Sequence, residues 1–253
     1  MVPDVPASDD GRGSRVHDRA EQLRERGHEA AEQVRERARE VAAEVKPKLR
    51  GWLHAGVTPL ALAAGIVLIA LSPTVETRVG SAVFAGTALL LFAVSAVYHR
   101  FYWGPRMTAV LRRIDHSNIF LLIAGSYTPF ALILLPKPQS TALLAIVWTG
   151  AVLGVLFRVF WSHAPRLLYT PIYMALGWVA IFYADHLGSG GPAVTWLLVA
   201  GGVLYTLGGL VYGLKRPDPF PTWFGFHEVF HLLTIAAFVC HYVAASIATY
   251  SLR

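Results

Sequence analysis

The sequence predicts an all-α integral membrane protein: a seven-transmembrane-helix bundle over residues 51–253, preceded by a charged extension, helical or flexible, over residues 1–50. Three observations predict it. Residues 1–50 carry 11 basic and 11 acidic residues, whereas residues 51–253 carry 11 basic and only 5 acidic, far below the roughly 25% charged fraction of a soluble domain. Seven apolar stretches follow one another, each close to the length of about 20 residues that crosses a bilayer. Short connectors with turn chemistry separate them.

In the extension, Val16, Ala20, Leu23, Ala30, Val34, Ala38, Val41 and Val45 form a thin apolar stripe at helical spacing. Arg and Glu alternate around it within one turn of each other, as in Glu21 with Arg24 and Glu32 with Arg35. This reads as a solvated helix ended by Pro47, and the small stripe residues make a surface-lying or self-associating helix the weaker alternative. The extension lacks the apolar core of roughly 7 to 15 residues that a secretory signal needs, so it is expected to stay attached.

The spans are expected at 54–72, 79–99, 115–135, 140–157, 167–185, 193–213 and 227–250. Their connectors are Ser72–Thr74, Tyr102–Pro105, Pro136–Pro138, His163–Pro165, Gly188–Pro192 and Arg216–Pro221. Pro129 should kink the third helix, and the pairs Gly201–Gly202 and Gly208–Gly209 should let the sixth pack closely. Trp52, Tyr102, Trp103, Trp161 and Trp223 sit near span ends as an interfacial belt.

Basic residues stay on the cytoplasmic side. With the N-terminus inside, that side holds eight, Arg100, Arg106, Arg112, Arg113, Arg158, Arg166, Lys215 and Arg216, against three outside, Arg78, Lys137 and Arg253. The expected placement is a multi-pass protein of the plasma (inner) membrane, N-terminus cytoplasmic and C-terminus outside. Loop orientation accounts for the formal net charge of +6, so membrane lipids rather than nucleic acid are the expected partners. A homo-oligomer is compatible with the sequence. The lone Cys240 excludes an intramolecular disulfide and a Cys-rich zinc site, leaving His and carboxylate as metal ligands. The last span has no Lys for a retinal, and only His241 lies deep enough for a haem.

Ionisable residues inside apolar spans are costly, about 2.5 to 3.5 kcal/mol for an Asp at a helix centre, and each needs a reason. His99 closes the second span with Ser95 one turn before it, Asp115 and His116 open the third, and His227, Glu228 and His231 open the seventh. The order of spans brings all of them to the same end. Ser95 and His99, like His227 and His231, are four apart and share a helix face. Three imidazoles, His99, His227 and His231, make the ligand set of a catalytic zinc with a fourth position open. Asp115 and Ser95 would stand around that position.

Spacing alone leaves a second reading open. The histidines would then be interfacial polar residues, Asp115 would pair with Arg112 or Arg113, and Ser95 would bond its own helix. His241 lies 14 residues beyond His227, about 21 Å along the helix and too far for the same metal. It reads as an interior hydrogen-bonded residue. Glu228 is about 100° around the helix from His227 and reads as a rim partner for a loop Arg. Asp185 and His186 should face water.

The segments SAVYH (95–99), RRIDHSNIFLLIAGSYTPF (112–130) and FHEVFH (226–231) closely resemble the hemolysin III branch of the progestin and adiponectin receptor family. The resemblance covers nearly all of residues 51–253. Ser126 departs from it, standing where Thr is usual, and the extension is long for the bacterial branch. The resemblance implies a zinc ion on His99, His227 and His231, with Ser95 and Asp115 as the groups around its water. It also implies hydrolase chemistry on a lipid amide or ester, with Asp115 taking the water's proton and substrate entering sideways from the cytoplasmic leaflet. The competing expectation is a non-enzymatic protein of membrane homeostasis, or a receptor-like one, in which zinc staples helices two and seven. The hemolysin name also suggests cytolysis, but no span carries the sustained polar face of a pore.

Overall fold

The computed structural model describes residues 23, 24, 26, 27, 32 and 47–253. The chain divides into two units, Met1–Lys46 and Pro47–Arg253. The described positions of the first unit are helical, and apart from Leu23 the expected stripe lies outside the described residues.

The second unit contains seven helical spans long and apolar enough to cross a membrane: α1 (Trp52–Ala70), α2 (Val75–Arg100), α3 (Pro105–Leu134), α4 (Lys137–Phe160), α5 (Arg166–Gly177) with its continuation to Gly190, α6 (Pro192–Leu214) and α7 (Phe226–Tyr250). All seven expected spans are present, and several start earlier than hydropathy alone suggests. The clearest case is α3, whose first turns carry Arg106, Arg112 and Arg113; polar turns continue a helix without continuing its apolar run.

Turn chemistry sets the helix starts. Thr74 caps α2, its side chain accepting the Thr77 N–H at 3.2 Å while Thr77 Oγ1 accepts the Thr74 N–H at 3.0 Å. Proline occupies the first or second position of α3, α4 and α6, where its missing N–H has no intrahelical partner to lose. Consequently Pro138, expected in a connector, lies inside the first turn of α4.

Of the apolar window of α3, 67% is buried, against 17% for the fifth span, which identifies α3 as the central helix. Pro129 lies inside continuous α3, and its turn packs against Gly80 of α2, where an added Cβ would fall 2.9 Å from Pro129 Cα. Large apolar side chains such as Leu60, Leu153, Phe182 and Trp196 are exposed on the outer faces, the surface that lipid would cover.

The fifth span is not one α-helix. After Gly177 it tightens into a 3-10 segment, Trp178–Tyr183, before the short helix Ala184–Leu187 and a further 3-10 turn, Gly188–Gly190. Backbone groups freed by such a break need partners where water is absent. Tyr127 of α3 supplies them: its hydroxyl accepts the Ala180 N–H at 2.8 Å and donates to the Gly177 carbonyl. Asp185 is exposed near the end of this span, as expected.

Arg158, assigned from sequence to a connector, instead lies in the last turn of α4 and is 1% exposed. Its guanidinium stacks over Tyr169 at 4.2 Å and donates to His116 Nδ1 at 2.7 Å. It therefore packs inside the helix end rather than lying in the connector.

Candidate metal centre

The site forms where α1, α3 and α7 begin and α2 ends. The α6–α7 connector is pinned to the segment before α1, with Lys48 N–H donating to Thr222 O at 3.0 Å and Leu49 N–H to Trp223 O at 3.2 Å. That register brings Arg50 against Glu228, and the two form a salt bridge. Glu228 Oε2 also accepts the Gly225 N–H at 2.8 Å, holding the first turn of α7. The expected pairing of Glu228 with a loop Arg is thus present, but the carboxylate is fully buried rather than at a rim. Gly51, at φ +80°, opens α1 directly against α2; a Cβ there would fall 3.0 Å from both His99 Cβ and Arg100 N.

His99, from the last turn of α2, meets His227 and His231, one turn apart on α7. All three are buried, and one ligand atom from each lies within 4.8 Å of the others. His99 Nε2 and His227 Nε2 are 3.1 Å apart, close to the about 3.3 Å between two nitrogens sharing a tetrahedral zinc. His231 Nδ1 is buried with no hydrogen-bond partner. Three buried imidazoles drawn together, one of them with a nitrogen that has no other partner, fit a borderline divalent cation.

Asp115 is buried, with Oδ2 3.5 Å from His99 Nε2. Among the described residues it makes no ion pair with Arg112 or Arg113, so that alternative is not realised. Ser95 is buried one turn deeper on α2 and lines the cavity described below. His116, adjacent to Asp115, turns away to Arg158 and Tyr212.

The sequence reading missed His54. This residue of α1 is 2% exposed, its ring stacks on His231 with centroids 3.8 Å apart at 16°, and neither of its nitrogens has a hydrogen-bond partner. The signal was present: a histidine opening the first span must reach the same end as the other site residues.

An apolar cavity of about 420 Å³ runs from this cluster into the bundle. His54, Ser95, Asp115, His227 and His231 line one end, and Leu198, Tyr205 and His241 the other. Gly201 makes room for His241, since a Cβ there would fall 2.3 Å from the imidazole Cδ2. Gly209 likewise lies against Met174 and Gly208 against Phe230 and Leu233 of α7, whereas Gly202 faces open space, so the second expected pair packs at both positions and the first at one.

Fold and site together define a multi-pass membrane protein with a buried three-histidine group able to bind a metal. The family pattern described as "Haemolysin-III related" matches residues 43–242. The chain is 34% identical over 184 residues to Hemolysin-3 of Bacillus cereus, covering 70% of this chain and 79% of that protein. It is 36% identical over 150 residues to the Hemolysin-3 homolog of Bacillus subtilis (strain 168), covering 57% and 68%. The Adiponectin receptor protein of Drosophila melanogaster is 28% identical over 188 residues, with 67% of this chain and 42% of that protein aligned. The chain belongs to the haemolysin-III-related family, the hemolysin III branch of the progestin and adiponectin receptors.

Proposed function

We propose that the protein is a membrane-embedded, zinc-dependent hydrolase of a lipid amide or ester, with His99, His227 and His231 as the zinc ligands. The observation that carries this reading is that His227 and His231 of the histidine group, together with Asp115, line one apolar cavity. When bound, zinc supplies Lewis acidity toward a carbonyl and brings the pKa of its water down to about 7.

This chain's residues do the rest. The cavity wall takes the acyl chain and excludes bulk water, leaving the polar head at the cluster. Asp115 takes the proton of the attacking water on its carboxylate and returns it to the leaving group. Ser95 orients that water from one turn deeper, and the Arg50–Glu228 pair fixes the helix end that carries His227. The basic bias of the connectors supports a cytoplasmic N-terminus in the plasma membrane, with membrane lipids as substrates.

The test is metal analysis of purified protein together with turnover of ceramides, phospholipids and acyl esters by wild type and Asp115→Asn. The variant keeps zinc, because the three histidines remain, and loses about 10² to 10⁴ in rate. Turnover by Asp115→Asn at the wild-type rate removes Asp115 as the base.

One observation favours a second reading, a zinc staple without turnover: the histidine group joins the last turn of α2 to the first turns of α7, so a shared ion would tie the two helix ends. Absence of wild-type turnover on all three lipid classes, with zinc bound, selects it.

A further inference from the structure

The far end of the cavity carries a polar pair for which hydrolysis at the histidine cluster has no use. Tyr205 of α6 and His241 of α7 both line the cavity, their rings 5.4 Å apart at 69°. His241 Nε2 lies 3.4 Å from the Leu198 carbonyl, so the ring proton sits on Nε2 and Nδ1 presents a lone pair. His241 Nδ1 and the Tyr205 hydroxyl oxygen are both buried without a hydrogen-bond partner. In the apolar depth of a bundle such atoms are costly to leave unmet. The imidazole is held in place: Gly201 accommodates its Cδ2–Nε2 edge at a distance no side chain would allow, and the Phe130 ring lies at 78° to it with centroids 6.3 Å away. The sequence reading of His241 as an ordinary interior residue accounts for Nε2 and leaves Nδ1 unexplained.

The two free functions differ. Nδ1 only accepts, while the phenol has a proton to give. A hydroxyl satisfies both, donating to Nδ1 and accepting from the Tyr205 O–H. A carbonyl or carboxylate has nothing to donate to Nδ1, and a plain methylene chain leaves both atoms unmet. Position supplies a ruler, because His241 is ten residues beyond His231, about 15 Å along the helix axis. An extended hydrocarbon chain covers that distance in roughly a dozen carbons.

We propose that Tyr205 and His241 form a second polar subsite, which takes a hydroxyl borne about twelve carbons along the acyl chain of a lipid whose carbonyl lies at the histidine cluster. The substrate class is then a mid-chain hydroxyacyl amide or ester. The inference rests on the hydrolase reading, since it needs an acyl chain in the cavity. A buried water offers the same hydrogen-bonding chemistry, and the test separates the two.

The experiment measures equilibrium binding of three free fatty acids, the acyl products of the reaction, to the full-length protein in detergent. The probes are octadecanoic acid, 12-hydroxyoctadecanoic acid and 2-hydroxyoctadecanoic acid. Wild type binds the 12-hydroxy acid about tenfold more tightly than octadecanoic acid, the scale of one or two buried hydrogen bonds, and gains nothing from the 2-hydroxy group. Tyr205→Phe, which keeps the ring and its packing, loses the preference and binds octadecanoic and 12-hydroxyoctadecanoic acid equally. His241→Gln is the second variant and loses it too. Equal binding of octadecanoic and 12-hydroxyoctadecanoic acid by wild type assigns the pair to a water and overturns the proposal while the hydrolase reading stands. A preference that survives in Tyr205→Phe overturns it as well. No binding of any of the three acids takes the acyl-chain reading of the cavity down with the subsite.

Discussion

The pairing of Arg50 with Glu228 offers a sharp test of how the site end of the bundle is held. Glu228 is almost fully buried and Arg50 is 19% exposed at its side chain, so the two residues face different consequences when their partner is lost. Arg50→Ala strands a buried carboxylate that, among the described residues, keeps the Gly225 N–H as its one remaining hydrogen-bond donor, and removing one member of a buried pair costs about 3 to 5 kcal/mol. Glu228→Gln leaves an acceptor for that same N–H and an arginine that reaches water, so it costs about 1 to 2 kcal/mol. Replacing both by Met removes the desolvated charges together and falls near wild type or above it. Denaturant unfolding in detergent micelles, read by tryptophan fluorescence, gives the stability of each of the three variants relative to wild type. An Arg50→Ala variant within about 0.5 kcal/mol of wild type, in the range of an ordinary surface substitution, would refute the reasoning that this pair is a buried structural clamp.

Three further outcomes are expected. His99→Ala, His227→Ala and His231→Ala each lower zinc content and thermal stability, because metal binding adds to folding free energy; full zinc occupancy in all three would remove the assignment. Tyr127→Phe leaves the Ala180 N–H and the Gly177 carbonyl without their partner at the break in the fifth span, and lowers stability by about 1 to 3 kcal/mol in the same unfolding assay, whereas no change would mean the break is satisfied elsewhere. A reporter fused after Arg253 signals from outside the cytoplasm; a cytoplasmic signal contradicts the N-in, C-out orientation.

The seven spans were legible because a bilayer's thickness imposes a length on apolar runs that no soluble domain requires. His227 and His231 were legible as a pair because helical spacing puts them on one face, and span order then brought His99 and Asp115 to the same end. His54 was passed over although the span order that placed His99 puts it at the same end; its stacking on His231 exists only once α1 packs beside α7. Arg158 was misread since an arginine ending an apolar run looks the same in sequence whether it reaches the interface or turns inward. The break after Gly177 was invisible to hydropathy, as Trp178–Tyr183 is apolar in either helix type. Its support comes from Tyr127, some fifty residues away.

The histidine cluster also sets an order of events during synthesis. His99 and His227 are 128 residues apart in the chain, and His227 and His231 belong to the last helix. A ribosome that has delivered six spans has delivered His54, His99 and Asp115 to the nascent bundle, but only one of the three nitrogens proposed to grip a metal. The centre therefore cannot be loaded in stages. On the zinc reading it would become competent only when the seventh helix docks, so metal uptake would report completion of the fold, and a chain truncated before Phe226 would reach the membrane without a centre to load.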